Sequence, residues 1–273
     1  MEPFLIVLDI DGTLLRSDKT VGAYTKETLE KVRKNGHLVM LATGRPFCSS
    51  QTLYAELGLN TPIVNLNGAF VHHPLEPSWG VVHQPIGKSI VRHLLEVSSD
   101  EYFRNIVIEG LEKTYIRTED PDLIEKLYPN GRPKIVYGAI HHALYDNPIA
   151  LLIQTDEEHT ESIMEDLEKA HADAIEQRSW GEPLNIIEVV KKGVNKAIGI
   201  QEVARRLGIP RERIIAFGDE ENDIEMLAYA GCGVAMANAI PALKEVSDEV
   251  TSSNDEEGVA QFLESYLLTR REM

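Results

Sequence analysis

Cysteine is nearly absent. The 273-residue chain has only Cys48 and Cys232, far apart and without metal-ligand spacing, which argues against a disulfide framework or a zinc site. Two small, reduced side chains are the plain reading. Long apolar runs are also missing: none approaches the ~20 residues that span a bilayer. No N-terminal stretch joins a basic start, an apolar run and a small-residue cleavage site. A cytoplasmic location with no membrane partner follows by default. Basic residues are in deficit, 27 Lys and Arg against 44 Asp and Glu, for a formal charge of −17. A general nucleic-acid surface needs a basic footprint, so no nucleic-acid partner is expected. There is no internal repeat, no low-complexity tract and no signal of oligomeric state.

The rest is ordinary for a globular protein, with 43% apolar and 26% charged residues. The length suits one large or two modest domains. The first part alternates strand and helix. Pro3 to Ile10 is a continuous apolar run, as in a strand buried on both faces. Thr25 is placed to cap a helix to about Asn35, stopped by Gly36. His37 to Ala42 reads as a second strand, Pro46 as the start of a helix ending at Gly58, and Pro62 onward as a third strand. Asn67-Gly68 reads as a tight turn into a hairpin. The same rhythm returns after Val194: a helix to Leu207, a strand at Arg213 to Phe217, a helix from about Glu220 to Ala230, a strand near Gly233 to Met236 and a helix near Gly258 to Leu268.

The middle differs. A helix near Lys88 to Ser98 precedes strand-like runs and another helix near Glu157 to His171, the texture of a separate α+β unit with an antiparallel sheet. The expected organisation is therefore an α/β fold: a doubly wound, Rossmann-like parallel-sheet core formed by residues 1–84 and 189–273, interrupted by an α/β unit at 85–188. The segment Asp120 to Tyr145 has no clear pattern.

The chemistry concentrates after strands. In FLIVLDIDGTLL, Asp9 and Asp11 are two residues apart, and on a strand such residues face the same side. Both carboxylates are then expected together at the C-terminal end of the first strand, where open α/β sheets place ligands. A divalent cation would relieve their repulsion. Gly12 lets the chain turn, and Thr13 can hydrogen-bond the turn. LATGR repeats the arrangement after the second strand, with Thr43 and with Gly44 freeing the backbone to approach an anion. Lys196 of GVNKA opens a helix. FGDEENDIEML puts Asp219, Asn222 and Asp223 after another strand, a second wall of oxygen ligands suited to a hard cation such as Mg²⁺. Arg45 either touches phosphate or the inserted unit, or forms a salt bridge at the helix start; the sequence leaves both open. His72-His73 and His141-His142 point to alternate faces and do not chelate as pairs.

In this order, DIDGT, TGR, the Lys196 helix and GDEEND resemble the four motifs of the haloacid dehalogenase-like hydrolases. The insert, NGA at Asn67 to Ala69 and AMANA at Ala235 to Ala239 are similar to the Cof-type phosphatases, whose inserted unit is an α/β cap of the C2 type. The resemblance implies a Mg²⁺-dependent phosphatase acting on small phosphorylated metabolites, sugar phosphates or phosphorylated cofactors. Asp9 would be the nucleophile that becomes an aspartyl-phosphate. Asp11 would be general acid and then base, with its carbonyl on the metal. Ile10, Thr43, Gly44, Lys196 and Asn222 would hold the phosphoryl group, and Asp9, Asp11, Asp219 and Asp223 the metal, Asp223 through water or from behind the direct ligands. A phosphotransferase or phosphomutase using the same intermediate, a phospho-receiver module and a non-catalytic phosphate-sensing protein are the rival readings. The receiver is disfavoured by the large insert, the sensor by the complete set of reactive residues.

Overall fold

The computed structural model describes residues 2–97, 102–128, 131–182 and 184–269. They cluster into two compact units. The first comprises the described residues up to Arg45, Leu53–Val81 and those from Asn195 onward; the second comprises Pro46–Thr52 and Val82–Val194.

The first unit is built on a five-stranded sheet. Its spatial order is Glu249–Val250, Cys232–Ala235, Ile214–Gly218, Leu5–Leu8, Leu38–Leu41, and every pairing is parallel. Leu5, Ile6, Val7 and Leu8 are wholly buried, because helices cover both faces of a parallel sheet and leave no polar side to alternate with. Ala42 bridges to Val64 in parallel, which extends the sheet toward the Ile63–Asn65 strand. The chain leaves Leu5–Leu8 for Leu38–Leu41 on one side and returns to Ile214–Gly218 on the other. The strand order therefore reverses at Leu5–Leu8, and ligands bind open α/β sheets beyond the carboxyl ends of strands at such a point.

Helix ends in this unit depart from the expected caps. The first helix is Ala23–Lys34 with Gly22 as its N-cap. Thr25 lies inside it and bonds Glu257 through both its amide and its hydroxyl. Thr28, Leu29 and Val32 make the buried stripe. Lys196–Leu207 has a better cap: the Asn195 side chain accepts from the Ile198 amide at 3.1 Å, and Gly208 closes the other end in a left-handed conformation. The expected Glu220–Ala230 helix is broken, a 3₁₀ turn at Glu221–Asp223 preceding an α-helix at Ile224–Tyr229.

The second unit is a six-stranded sheet in the order Ile175–Ser179, Ile186–Lys191, Ala150–Thr155, Phe103–Glu109, Thr114–Ile116, Ile135–Tyr137. The expected antiparallel pairing holds along it, except that the last two strands run parallel. Side chains alternate as the pleat requires. Ile106, Ile108, Leu151, Ile153, Ile187 and Val189 face the helices Lys88–Val97 and Glu157–His171. Val107, Leu152 and Ile186 face the short helix Pro121–Leu127. That helix begins the stretch without clear pattern: Asp120 caps the Leu123 amide at 3.0 Å and Pro121 takes the first turn. Ser98, the expected end of the first helix here, lies outside the described residues.

One tight turn braces the Lys196 helix. Leu66, Asn67 and Gly68 are consecutive left-handed residues, with φ of 49°, 51° and 97°. A Cβ on Gly68 would lie 2.1 Å from the Asn195 carbonyl oxygen, so this turn sits directly against the helix cap. Gly68→Ala combines a strained φ with a backbone clash and is expected to cost about 1–3 kcal/mol or more. Denaturant unfolding measures it; an unchanged midpoint would contradict the tight docking.

Candidate active site

Three sequence-predicted acids gather at the switch point. Asp9 follows the Leu5–Leu8 strand, its amide still in the ladder with the Phe217 carbonyl at 3.1 Å. Asp219 follows the neighbouring Ile214–Gly218 strand, and Asp223 lies one turn later. Ligand atoms of Asp9, Asp219 and Asp223 all lie within 4.8 Å of one another, and all three residues are buried. Lys196, the first residue of its helix, has no exposed surface. Its ammonium donates to Asp9 Oδ1 at 2.6 Å and to Asp223 Oδ1 at 2.7 Å.

Asp223 is fully occupied. Its other oxygen, Oδ2, accepts from the amides of Asp219 at 3.0 Å and Glu220 at 3.2 Å. Glu220 in turn accepts from the Asp223 amide, so the two form a reciprocal capping box. Asp219 Oδ1 accepts from the Thr13 hydroxyl at 2.8 Å. Gly12, at φ +75°, packs so closely on the Asp219 carboxylate that a Cβ there would lie 2.0 Å from Oδ2. Only glycine permits this approach.

One ammonium serves three buried carboxylates. Burial, opposed by Lys196 and reinforced by Asp223, pushes the Asp9 carboxyl up to about 8. Burial pushes Asp219 up to about 7, against the Thr13 hydroxyl and with Asp223 adding repulsion. Burial alone would depress Lys196, but the charges of Asp223 and Asp9 outweigh it and hold the ammonium above its usual range. Ionised together, the three carboxylates would outnumber the single ammonium, and the cluster presents oxygen donors only, Lys196 engaging a single oxygen of Asp9. These residues fit a hard divalent cation, which would offset that excess. The donors best placed for it are Asp9 and Asp219, since both oxygens of Asp223 are already bonded.

Asp11 is not part of this cluster. The two carboxylates do not sit together as the strand spacing predicts, because the strand ends at Leu8 and the chain turns at Ile10. Once the pleat ends, the i, i+2 rule ends with it. Arg45 takes the Asp11 carboxylate with two bonds, Nε to Oδ2 at 2.7 Å and Nη2 to Oδ1 at 2.6 Å, and Lys19 adds a third at 3.2 Å. Burial would raise Asp11, but these cations, Arg45 first, hold its carboxyl below the ordinary value. Arg45 thus forms a salt bridge, to Asp11 rather than at the helix start. These bonds engage the Asp11 carboxylate, whereas the metal contact expected of Asp11 is through its carbonyl. The Ile10 side chain is wholly buried, which leaves only its backbone for a ligand.

Thr43, Gly44 and Asn222 form a second group around Asn67. The Thr43 carbonyl accepts from the Asn67 amide at 3.1 Å, and the Thr43 hydroxyl accepts from the Arg45 amide at 3.1 Å. The Asn67 side chain lies against Gly44, 3.2 Å from where a Cβ would stand. Asn222 Nδ2 donates to Asn67 Oδ1 at 3.0 Å. The sequence marks Asn67 as a turn residue and, within NGA, as part of the family resemblance, but gives it no place in the site. The run of left-handed backbone that turns Asn67 toward Gly44 leaves no pattern beyond Asn-Gly itself.

A family model described as haloacid dehalogenase-like hydrolase matches residues 6–263. The chain belongs to this family. As a haloacid dehalogenase-like hydrolase it is 43% identical over 265 residues to the 5-amino-6-(5-phospho-D-ribitylamino)uracil phosphatase YitU of Bacillus subtilis, across 97% of this chain and 98% of that protein. Pyridoxal phosphate phosphatase YbhA of Escherichia coli is 27% identical across 97% of this chain and 98% of its own length. A solved haloacid dehalogenase-like hydrolase from Bacteroides thetaiotaomicron superposes with a TM-score of 0.82 at 26% identity, covering 97% of this chain and 99% of that one.

In this hydrolase Lys196 is the sole counter-charge bonded to both Asp9 and Asp223 among the described residues. Lys196→Met leaves two buried carboxylates without their cation and is expected to lower stability by about 3–5 kcal/mol at neutral pH. Equilibrium denaturation of the metal-free protein measures it. A loss typical of a surface ion pair, below about 1 kcal/mol, would show that the buried cluster is not held as described.

Proposed function

We propose that the chain is a Mg²⁺-dependent phosphatase of small phosphorylated metabolites. The observation that carries this reading is the buried Asp9 carboxylate held by Lys196 at 2.6 Å beside Asp219. Phosphate monoesters hydrolyse extremely slowly unaided, and a carboxylate approaching a phosphate dianion is repelled. Bound Mg²⁺ supplies positive charge to the transferring oxygens. Lys196 supplies a fixed positive charge from the chain itself. Asp9 attacks phosphorus, the ester P–O bond breaks, and an aspartyl-phosphate forms on Asp9. Asp11 gives a proton to the departing alkoxide. Water then attacks phosphorus, Asp11 takes its proton, and inorganic phosphate leaves with Asp9 restored. Thr43, the Gly44 amide, the Ile10 backbone and Asn222 hold the phosphoryl oxygens.

The ion pair with Arg45 keeps Asp11 in its ionised form, the state required for the second step. Acting as an acid in the first step requires that pair to part. The acid/base role is therefore assigned to a side chain that moves on a fixed backbone.

The inserted unit is proposed as the cap that selects among leaving groups. A relative 43% identical over nearly the whole of both chains is named for an aminopyrimidine ribityl phosphate. A more distant one is named for pyridoxal phosphate. These favour phosphorylated cofactors and their precursors over simple sugar phosphates. Hydrolysis is preferred to transfer; phosphate release without any acceptor alcohol separates the two.

Asp9→Asn is expected to abolish phosphate release from every substrate while leaving the fold intact. Chelation of divalent ions should do the same to the wild type, with activity returned by Mg²⁺. A phosphate-release screen over sugar phosphates, nucleotides, flavin mononucleotide and pyridoxal phosphate checks all three points. Wild-type turnover by Asp9→Asn would sink the mechanism.

A further inference from the structure

A backbone bond from the Leu15 amide to the Ile10 carbonyl at 2.9 Å helps to close the turn that carries Asp11. The carbonyls of Gly12 and Leu15 in this turn are taken by two asparagines more than two hundred residues away. Asn238 Nδ2 donates to the Gly12 carbonyl at 2.8 Å. Asn254 Nδ2 donates to the Leu15 carbonyl at 2.8 Å. The asparagines are joined to each other, the Asn254 amide donating to Asn238 Oδ1 at 3.1 Å. Both ends of the Asn238 side chain are thus engaged.

The grip continues along the same segment. Asp255 accepts from the amide and the hydroxyl of Ser17, both at 2.7 Å. Glu257, in a left-handed conformation at φ 58°, accepts from Thr25. Gly22 lies so close that a Cβ would fall 2.1 Å from the Glu257 carboxylate. From the other side, Gly12 and Thr13 are seated on Asp219. The backbone from Gly12 to Leu15 is therefore held between Asp219 and the asparagine pair. The Asp11 side chain, held among the described residues by Arg45 and Lys19, is the movable part.

We propose that Asn238 and Asn254 are positioning residues for proton transfer. They touch none of the reacting groups. They fix the turn, so that the Asp11 carboxylate, once released by Arg45, meets the leaving oxygen at one distance and angle. This inference rests on the proposal that Asp11 is the proton carrier. Proton transfer demands hydrogen-bond reach, and a displacement of about 1 Å can cost on the order of 10²-fold in rate.

The test compares two esters turned over by the wild type. p-Nitrophenyl phosphate releases a phenolate that leaves without a proton; an alkyl phosphate releases an alkoxide that needs one. Asn238→Ala and Asn254→Ala are expected to lower the single-turnover rate of alcohol release from the alkyl phosphate about 10- to 100-fold, with little effect on the single-turnover burst of p-nitrophenolate, because the water step that Asp11 also serves follows leaving-group release from both esters. Asp11→Asn should show the same selectivity more strongly, and adding Asn254→Ala to it should cost nothing further on the alkyl ester. Equal losses on both esters, or a loss that adds to that of Asp11→Asn, would assign the asparagines a merely structural role and overturn the inference. Asn254 is buried and Asn238 is exposed, so Asn238→Ala provides the test should Asn254→Ala fail to fold. If Asp11→Asn itself fails to discriminate between the esters, the proton-carrier reading falls first, and the inference with it.

Discussion

A lysine ammonium with no access to solvent, bonded to two aspartates, is the interaction on which the site depends. Removing such a charge from water costs several kcal/mol before any partner is counted. The ion contacts alone do not keep Lys196 in place; the fold does. The Asn195 cap fixes the first turn of its helix, Gly68 lets the left-handed turn press against that cap, and Gly199 lets the helix approach Val64, where a Cβ would come within 2.8 Å. The tight packing of one helix against one strand and one turn delivers a single ammonium to a fixed point. Three carboxylates converge on that point, and the imbalance that results is what makes the cluster suited to a cation.

Topology explains why those carboxylates come from distant parts of the chain. Asp9 and Asp219 each follow a parallel strand, and the two strands are neighbours in register, Leu8 beside Phe217. Thr43 follows the strand on the opposite side of Leu5–Leu8. Each motif lies at the same end of one sheet, so the order in sequence is irrelevant to the geometry. Asp223 organises the corner behind Asp9 and Asp219, bonding two amides and the lysine at once.

Much of this was legible in the sequence, for a physical reason. Apolar runs such as Leu5–Leu8 and Ile214–Phe217 mark buried parallel strands, and polar residues placed directly after them mark the ligand end of the sheet. Asp9, Lys196, Asp219 and Asp223 came together as that logic requires. Asp11 did not, because strand periodicity was extended past the end of the strand, across the turn at Ile10. The sequence leaves its partner Arg45 between two roles because no local pattern says which distant carboxylate a guanidinium will find. The parallel strand Ile135–Tyr137 and the helix Pro121–Leu127 are short, three and seven residues, and periodicity has little to act on over such lengths. The asparagine pair joins Gly12 to residues 238 and 254, contacts no spacing rule reveals.

The proposed attack by Asp9 is open to a direct measurement. The wild-type protein, supplied with Mg²⁺ and a slowly turned-over substrate, is quenched in acid during steady-state turnover and digested, and its peptides are weighed. The account predicts that the peptide containing Asp9 gains the mass of one phosphoryl group, with fragmentation placing it on Asp9 rather than Asp11. A phosphoryl group on another residue, or none on the enzyme while phosphate is being released, would contradict it.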